Sequence, residues 1–283
     1  MKEMWTVKKE REALSLVSGI SFANVPGWFN ATRQDLKMDI IMPKAWEEHA
    51  PCPCVVWICG GAYMMMDRSV WIPELMPLAR AGYVVASVEY RTSNQAQFPA
   101  QLMDVKAAVR YLRAHAKQFC IDPDRIYAMG ESAGGTLACL LGVTGGHPEF
   151  ECGDHLDQSS SVSGIVDYYG ITDVSREAVR LDTGVPSWTM DAFLGENFSQ
   201  EEAAAGSAIH YVSEQTPPCL IFHGTADKLV PIAQSTRFYE VLQAKGVYAE
   251  LYLVEGAAHG DDLFYQDEVM DKVVAFLNCL TGK

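Results

Sequence analysis

One serine in the sequence lies in a setting that is typical of a nucleophile. Ser132 stands in the stretch AMGESAGG, residues 128–135, between a strand-like apolar run and a helix-like one. Gly130 and Gly134 would allow a sharp turn there, because side chains at these positions would collide with the neighbouring strand and helix. A helix that begins at Ala133 would direct free N–H groups toward an anion beside the serine. The stretch therefore predicts a turn that exposes a nucleophilic hydroxyl group.

Two residues later in the chain are placed to activate this serine. A serine hydroxyl needs a base to take its proton, and the base needs a carboxylate that orients it. Asp227 follows the apolar run in CLIFHGTADKLVP and His259 follows the one in ELYLVEGAAHGDD, so each comes at the end of a predicted strand. The order serine, aspartate, histidine is that of the α/β-hydrolase fold. We therefore predict Ser132 as nucleophile, His259 as base and Asp227 as the orienting acid.

Other carboxylates and histidines fit these roles less well. Asp173, Asp261 and Asp262 do not lie at the end of the preceding predicted strand in the expected order. His223 belongs to the strand that leads to Asp227. The remaining histidines fall in a predicted helix, in loops or in the insertion described below: His49, His115, His147, His155 and His210.

A glycine pair offers backbone donors for an oxyanion. The run VVWICGGAY places Gly60 and Gly61 at the end of a predicted strand, where a chain without Cβ atoms can approach a carbonyl oxygen closely. In α/β-hydrolases the oxyanion hole combines N–H groups of this loop with the N–H of the residue after the nucleophile. We therefore predict Gly60, Gly61 and Ala133 as oxyanion donors.

The elements that must position these residues alternate along the chain. From residue 54 onward, short apolar runs alternate with amphipathic, helix-like segments. Continuous apolar strands separated by helices indicate a parallel sheet that is covered on both faces. The predicted fold class is α/β, a mostly parallel, doubly wound sheet in a single domain of residues 1–283. Two earlier runs, in 13–24 and 36–43, predict antiparallel edge strands at the N-terminus.

Two stretches interrupt this alternation, at about 144–162 and 171–216. A structureless loop as long as the second is improbable inside a compact domain, so it is better interpreted as a small helical insertion. We expect the stretch at about 171–216 to form a cap over the site. The N-terminal residues 1–30 are a further candidate for part of this cap.

Composition excludes several classes of function. The chain has 283 residues and a formal net charge of −14, with no basic cluster to offset it. Nucleic acid and anionic membranes would repel such a surface. No apolar run approaches the ~20 residues of a membrane span and no secretory leader pattern is visible, so we expect a cytoplasmic protein. The eight cysteines are expected as reduced thiols, and their spacing predicts no metal site.

Several stretches resemble the α/β-hydrolase superfamily, and within it the hormone-sensitive-lipase-like carboxylesterases and their BD-FAE-like feruloyl and acetyl-xylan esterase relatives. The matching pieces begin with CGGAY and end with EGAAHG, and the resemblance covers nearly all of residues 36–282. Arg91 and Asp104 match family positions and are expected to form a structural ion pair. The resemblance implies the same site residues as above, with the nucleophile, acid and base on Ser132, Asp227 and His259 and the oxyanion donors on Gly60, Gly61 and Ala133.

The sequence departs from that family at the predicted oxyanion loop. The family has His-Gly-Gly-Gly where this chain has Cys59-Gly60-Gly61-Ala62. The family histidine helps to hold the loop by hydrogen bonding, which a thiol does poorly. Alanine in the last position narrows the room beside the acyl group. Catalysis stays compatible with these changes, whereas loop geometry and substrate choice are not fixed by the resemblance.

Residues beside this loop and in the insertion could line an acyl pocket. Unbranched methionine side chains form adaptable apolar walls, and aromatic side chains of the insertion could face them. All of these side chains could equally belong to the core. The predicted substrate contacts are Tyr63, Met64, Met65, Met66, Trp188 and Phe193.

Together these features predict a serine carboxylic-ester hydrolase that acts through an acyl-enzyme and needs no metal or cofactor. The expected partner is a small-molecule or oligosaccharide ester with a short-chain or aromatic acyl group, such as acetyl or feruloyl esters of plant polysaccharides. Two alternatives stay open: an amide-type hydrolase such as an aryl formamidase, and a catalytically silent relative that only binds ligands. The sequence does not determine the acyl group or whether the protein forms a homo-oligomer.

Overall fold

The fold is a single eight-stranded sheet with helices on both faces. A computed structural model describes residues 1–27, 30–180 and 187–282, apart from the side chains of residues 179, 180, 187 and 188. The strands follow the spatial order β1-β2-β4-β3-β5-β6-β7-β8, and all pairs from β4 onward are parallel. The strands are β1 Leu14–Pro26, β2 Arg33–Pro43, β3 Cys52–Ile58, β4 Val84–Val88, β5 Ile121–Glu131, β6 Ile165–Tyr168, β7 Cys219–Gly224 and β8 Ala249–Val254.

Eight α-helices lie between and after these strands in the described part of the chain. They are α1 Ile72–Arg80, α2 Ala100–Ala114, α3 Ala133–Val143, α4 Arg176–Arg180, α5 Ser187–Leu194, α6 Gln200–Ala205, α7 Ile232–Ala244 and α8 Asp267–Thr281. None of the helices in these ranges is long and apolar enough to cross a membrane.

Strand β3 shows why the sheet is buried on both faces. Its side chains alternate between two apolar clusters: Val56 packs with residues of α2, α3 and α7, whereas Val55 and Trp57 pack with residues of α1 and α8. Successive side chains of a strand point to opposite faces, so a strand that is apolar at every position needs a helical layer on each side. The predicted α/β fold with a doubly wound, mostly parallel sheet is confirmed.

The N-terminal strands form an antiparallel edge, as predicted. β1 pairs with β2, and β2 pairs with β4, both antiparallel. As an edge strand, β1 leaves Leu16 and Val17 exposed, whereas Met38 and Ile40 of β2 are fully buried. This hairpin extends the sheet sideways beyond β4.

The turn at Ser132 depends on a close approach of three backbones. Ser132 lies between β5 and α3 with φ 54° and ψ −121°, a conformation that costs a non-glycine residue on the order of 1–3 kcal/mol. A Cβ on Gly130 would overlap the carbonyl oxygen of Gly134, and a Cβ on Gly134 would overlap that of Ile58 in β3. Glycine at both positions therefore lets α3 press against β3 and β5 and hold the strained turn in place.

A buried ion pair fixes the segment between β4 and α2. The Arg91 guanidinium contacts both carboxylate oxygens of Asp104, with Nη2–Oδ1 at 2.8 Å and Nε–Oδ2 at 2.9 Å. The backbone N–H of Arg91 also donates to Oδ2 at 2.8 Å. The expected pairing of these two residues is confirmed, and its three hydrogen bonds offset the cost of burying both charges.

We predict that Gly134→Ala destabilises the protein because its methyl group has no space beside the Ile58 carbonyl. The free energy of unfolding should fall by about 3 kcal/mol. Gly146 is a matched control, since a Cβ there would meet nothing within 4 Å. Gly146→Ala should change stability by about 0.5 kcal/mol or less. Urea unfolding of both variants checks this, and equal stabilities would contradict the packing account.

Candidate active site

Three side chains form a hydrogen-bonded line at the carboxyl edge of the sheet. His259 Nε2 lies 2.9 Å from Ser132 Oγ, and His259 Nδ1 lies 2.8 Å from Asp227 Oδ2. The serine follows β5, the aspartate follows β7 and the histidine follows β8, so parallel strands deliver all three to one edge. The structure thus brings together the three residues that the sequence singled out, in the geometry of a nucleophile, a base and an orienting acid.

Asp227 is more deeply buried than His259. Its side chain is fully buried, whereas that of His259 remains 16% exposed. Its Oδ1 accepts the backbone N–H groups of Leu229 and Val230 at 2.8 and 2.9 Å, which fixes the carboxylate in its turn. Burial alone would raise the pKa of Asp227, but hydrogen bonds with His223 and His259 hold it well below its usual range.

A second histidine lies next to Asp227. His223 is completely buried, and its Nε2 lies 3.5 Å from Asp227 Oδ2 and 3.0 Å from the Val230 carbonyl oxygen. Its Nδ1 lies 2.7 Å from Ser235 Oγ. His223 has no predicted role, and its only signal in the sequence is its position four residues before Asp227 at the end of the same strand.

Tyr169 packs against His259. Its ring lies edge-on to His259 with centroids 4.7 Å apart, and it has φ 45°, an uncommon value for a tyrosine. The backbone N–H of Tyr169 donates to the Phe222 carbonyl oxygen at 2.8 Å, which ties this strained residue to β7. Tyr169 thus limits the positions that the imidazole can take.

The predicted oxyanion loop has an unexpected hydrogen-bond pattern. The N–H of Gly60 donates to Glu131 Oε1 at 2.5 Å. An N–H group that already donates to a carboxylate is not free for an oxyanion, so this geometry does not meet the role expected for Gly60. Within the described residues, the N–H groups of Gly61 and Ala62 donate no such bond to another protein atom. Ala133 is the first residue of α3, and its N–H has no partner within the helix.

The loop itself has a left-handed course. Gly61, Ala62 and Tyr63 all have positive φ values of 122°, 54° and 60°. Hydrogen bonds from residues outside the loop stabilise this conformation. The Tyr90 hydroxyl donates to the Cys59 carbonyl oxygen at 2.8 Å. The N–H of Ser93 donates to the carbonyl oxygen of Tyr63 at 2.7 Å.

The predicted substrate contacts fall into different environments. Tyr63 and Phe193 stack with ring centroids 4.0 Å apart and are almost completely buried, in a cluster that joins the loop to α5 and α6. Met65 is 72% exposed, whereas Met66 packs against the core and Met64 is half-buried. The side chain of Trp188 lies outside the described residues.

A cavity of about 270 Å³ lies next to Asp227. It is lined by the loop at Asp227, by Ala178 of α4 and by the first turns of α7, with Arg237 among its lining residues. Within the ranges described, no group of three or more histidine, cysteine, aspartate or glutamate side chains could hold a metal ion. The candidate active site therefore consists of the hydrogen-bonded line, the loop at 59–63 and this neighbouring cavity.

Most of the chain matches a known protein family. Residues 38–242 match the model of the BD-FAE family. Esterase LipC of Mycobacterium tuberculosis is 31% identical over 223 residues, which make up 75% of this chain and 54% of that protein. The chain spans about half the length of the curated relatives it matches.

Solved structures resemble the whole chain. A truncated carbohydrate esterase from gut microbiota has a TM-score of 0.83 at 27% identity, and the match covers 98% of this chain and 99% of that one. An acetyl ester-xyloside bifunctional hydrolase from Caldicellulosiruptor lactoaceticus has a TM-score of 0.74 at 25% identity, with 93% and 96% covered. This chain therefore belongs to the BD-FAE family and has the α/β-hydrolase fold.

Proposed function

We propose that this protein is a serine carboxylic-ester hydrolase. The observation that supports this function best is the hydrogen-bonded line from Ser132 through His259 to Asp227, with distances of 2.9 and 2.8 Å. Such a line gives a weak nucleophile a base and gives the base a fixed tautomer. The esterase names of the relatives support the same reaction class.

In the proposed reaction, Ser132 Oγ attacks the ester carbonyl carbon while His259 Nε2 takes the hydroxyl proton. The bond to the leaving alcohol then breaks, and His259 returns this proton to the alcohol oxygen. Water attacks the acyl-enzyme in the same way, which releases the acid and restores the serine. Asp227 holds the Nδ1–H of His259 and stabilises the imidazolium that forms in each half-reaction.

The negative oxygen of each tetrahedral intermediate needs backbone donors. Ala133 contributes the N–H at the start of α3, where the helix dipole also favours a negative charge. Gly61 and Ala62 are the best-supported donors of the loop, because the N–H of Gly60 is occupied by Glu131. Ala62 thereby replaces Gly60 in the set expected from the sequence.

The substrate we propose is an ester with a small acyl group on a carbohydrate, such as an acetylated plant polysaccharide. The carbohydrate esterase and the acetyl ester-xyloside hydrolase support this class through their similarity to the whole chain. The stacked Tyr63 and Phe193 are buried, so they close the apolar side of the site and favour a small acyl group over an aromatic one. The insertion at about 171–216 supplies Phe193, which supports its role as a cap.

We predict that Ser132→Ala lowers kcat on p-nitrophenyl acetate at least about 1000-fold and leaves the circular dichroism spectrum unchanged. A fluorophosphonate probe should label the parent protein and not this variant. Ser163→Ala is a matched control, since Ser163 precedes β6 at the opposite edge of the sheet and should keep full activity. A parent protein that neither reacts with the probe nor hydrolyses esters would contradict the proposed function and favour a ligand-binding role.

The low pKa of Asp227 predicts a pH-dependent contribution to stability. A carboxyl group whose pKa is lowered by folding stabilises the folded state above its ordinary pKa of 3.8, and this contribution is lost as the pH falls toward the folded value. Between pH 6 and pH 3, the parent protein should therefore lose about 1 kcal/mol more unfolding free energy than Asp227→Asn. Urea unfolding at the two pH values measures the difference, and an equal loss in both proteins would refute it.

We predict that acetylated xylo-oligosaccharide is the better substrate when it is compared with methyl ferulate. The ratio of the two kcat/KM values should exceed about 100, which corresponds to roughly 2.7 kcal/mol of differential transition-state binding. Ser132→Ala serves as the blank for both reactions. A ratio that favours the ferulate would show that the pocket accepts an aromatic acyl group, against the buried stack of Tyr63 and Phe193.

A further inference from the structure

A buried carboxylate next to the nucleophile has no part in the proposed mechanism. Glu131 is the last residue of β5 and directly precedes Ser132, yet its side chain is buried rather than open to the site. Burial raises the pKa of Glu131, and this effect is opposed by the N–H of Gly60, by His259 and by Trp71. A charged group in such a place costs stability unless specific partners compensate it, so its contacts identify its role.

The main contact of this carboxylate is the backbone of the oxyanion loop. Glu131 Oε1 accepts the N–H of Gly60 at 2.5 Å and lies 3.9 Å from Cys59 Sγ. A Cβ on Gly60 would lie only 2.5 Å from the same oxygen, so the close approach requires glycine at that position. The thiol at 59 is a weak donor, and the backbone N–H therefore carries most of this interaction.

The loop needs such an anchor because its conformation is strained. Ala62 and Tyr63 both lie in the left-handed region, which costs non-glycine residues energy that surrounding contacts must offset. The bond from Gly60 to Glu131 fixes the peptide that enters this turn. It thereby determines where the N–H groups of Gly61 and Ala62 point.

We infer that Glu131 is a positioning residue, which holds the oxyanion loop at Gly60 and so aims the following N–H groups at the reacting carbonyl oxygen. This inference rests on the proposed esterase function and goes beyond it. It also explains how a chain with cysteine at 59 keeps its loop in place: the anchor comes from the residue before the nucleophile. The titratable side chains that interact electrostatically with Glu131 are Cys59, Tyr90, Tyr169, His259 and Tyr265.

Two nearly isosteric variants separate the acceptor oxygen from the volume of the side chain. Glu131→Met removes the acceptor, and we expect kcat on p-nitrophenyl acetate to fall about 10- to 100-fold with KM within threefold of the parent value. Glu131→Gln keeps an acceptor for the Gly60 N–H and should stay within about fivefold of the parent kcat. Glu250→Gln, on the edge strand β8, is the control and should not change kcat.

Inhibition by phenylboronic acid tests the oxyanion loop directly, because its tetrahedral adduct with serine mimics the intermediate. The inhibition constant should rise in Glu131→Met in step with the loss of kcat, while fluorophosphonate labelling still shows an accessible Ser132. If Glu131→Met does not fold, Glu131→Ala takes its place with the same expectation. Two results would overturn the inference: a kcat of Glu131→Met within threefold of the parent value, or a Glu131→Gln variant whose kcat falls as far as that of Glu131→Met. Failure of the parent protein to hydrolyse esters would instead refute the proposed function.

Discussion

The close contact between β3, β5 and the start of α3 is the constraint on which the site depends. Gly130 and Gly134 lack the side chains that would separate these backbones, and only at this distance can the turn at Ser132 keep its strained conformation. The same contact places the end of β3 beside Ser132, since Ile58 lies against Gly134. Ser132, the N-terminus of α3 and the loop at 59–63 are therefore held by one packing arrangement rather than by three separate ones.

The general position of the site could be predicted because it follows from local patterns. Apolar runs separated by amphipathic segments indicate a parallel sheet, and parallel strands put their carboxyl ends at one edge. Residues that follow three such runs then lie at the same edge of the sheet, even though Ser132 and His259 are 127 positions apart in the sequence. Chain order and strand ends were sufficient to select Asp227 among the aspartates. The hydrogen bonds of 2.8 and 2.9 Å are consistent with that selection.

Contacts between side chains and distant backbone could not be predicted in this way. Nothing in the sequence of residues 59–63 shows that the N–H of Gly60 faces a carboxylate, because Glu131 is 71 positions away and its side chain could equally point to solvent. The sequence also left the location of two aromatic residues ambiguous. Tyr63 and Phe193 were candidates for the pocket wall or the core, and only tertiary packing shows that they stack on each other and are almost completely buried.

A carboxylate beside the proposed oxyanion hole raises an electrostatic question, since two negative charges would repel each other. The peptide dipole of Gly60 lies between Glu131 and the rest of the loop, with its N–H turned toward the carboxylate. In the proposed reaction the new negative charge is accompanied by a positive imidazolium at His259, and Glu131 and Asp227 both favour that positive charge. The repulsion with the oxyanion is thus countered by attraction to the base. A buried glutamate can therefore hold the loop without opposing the chemistry, provided that the imidazolium and the oxyanion form together.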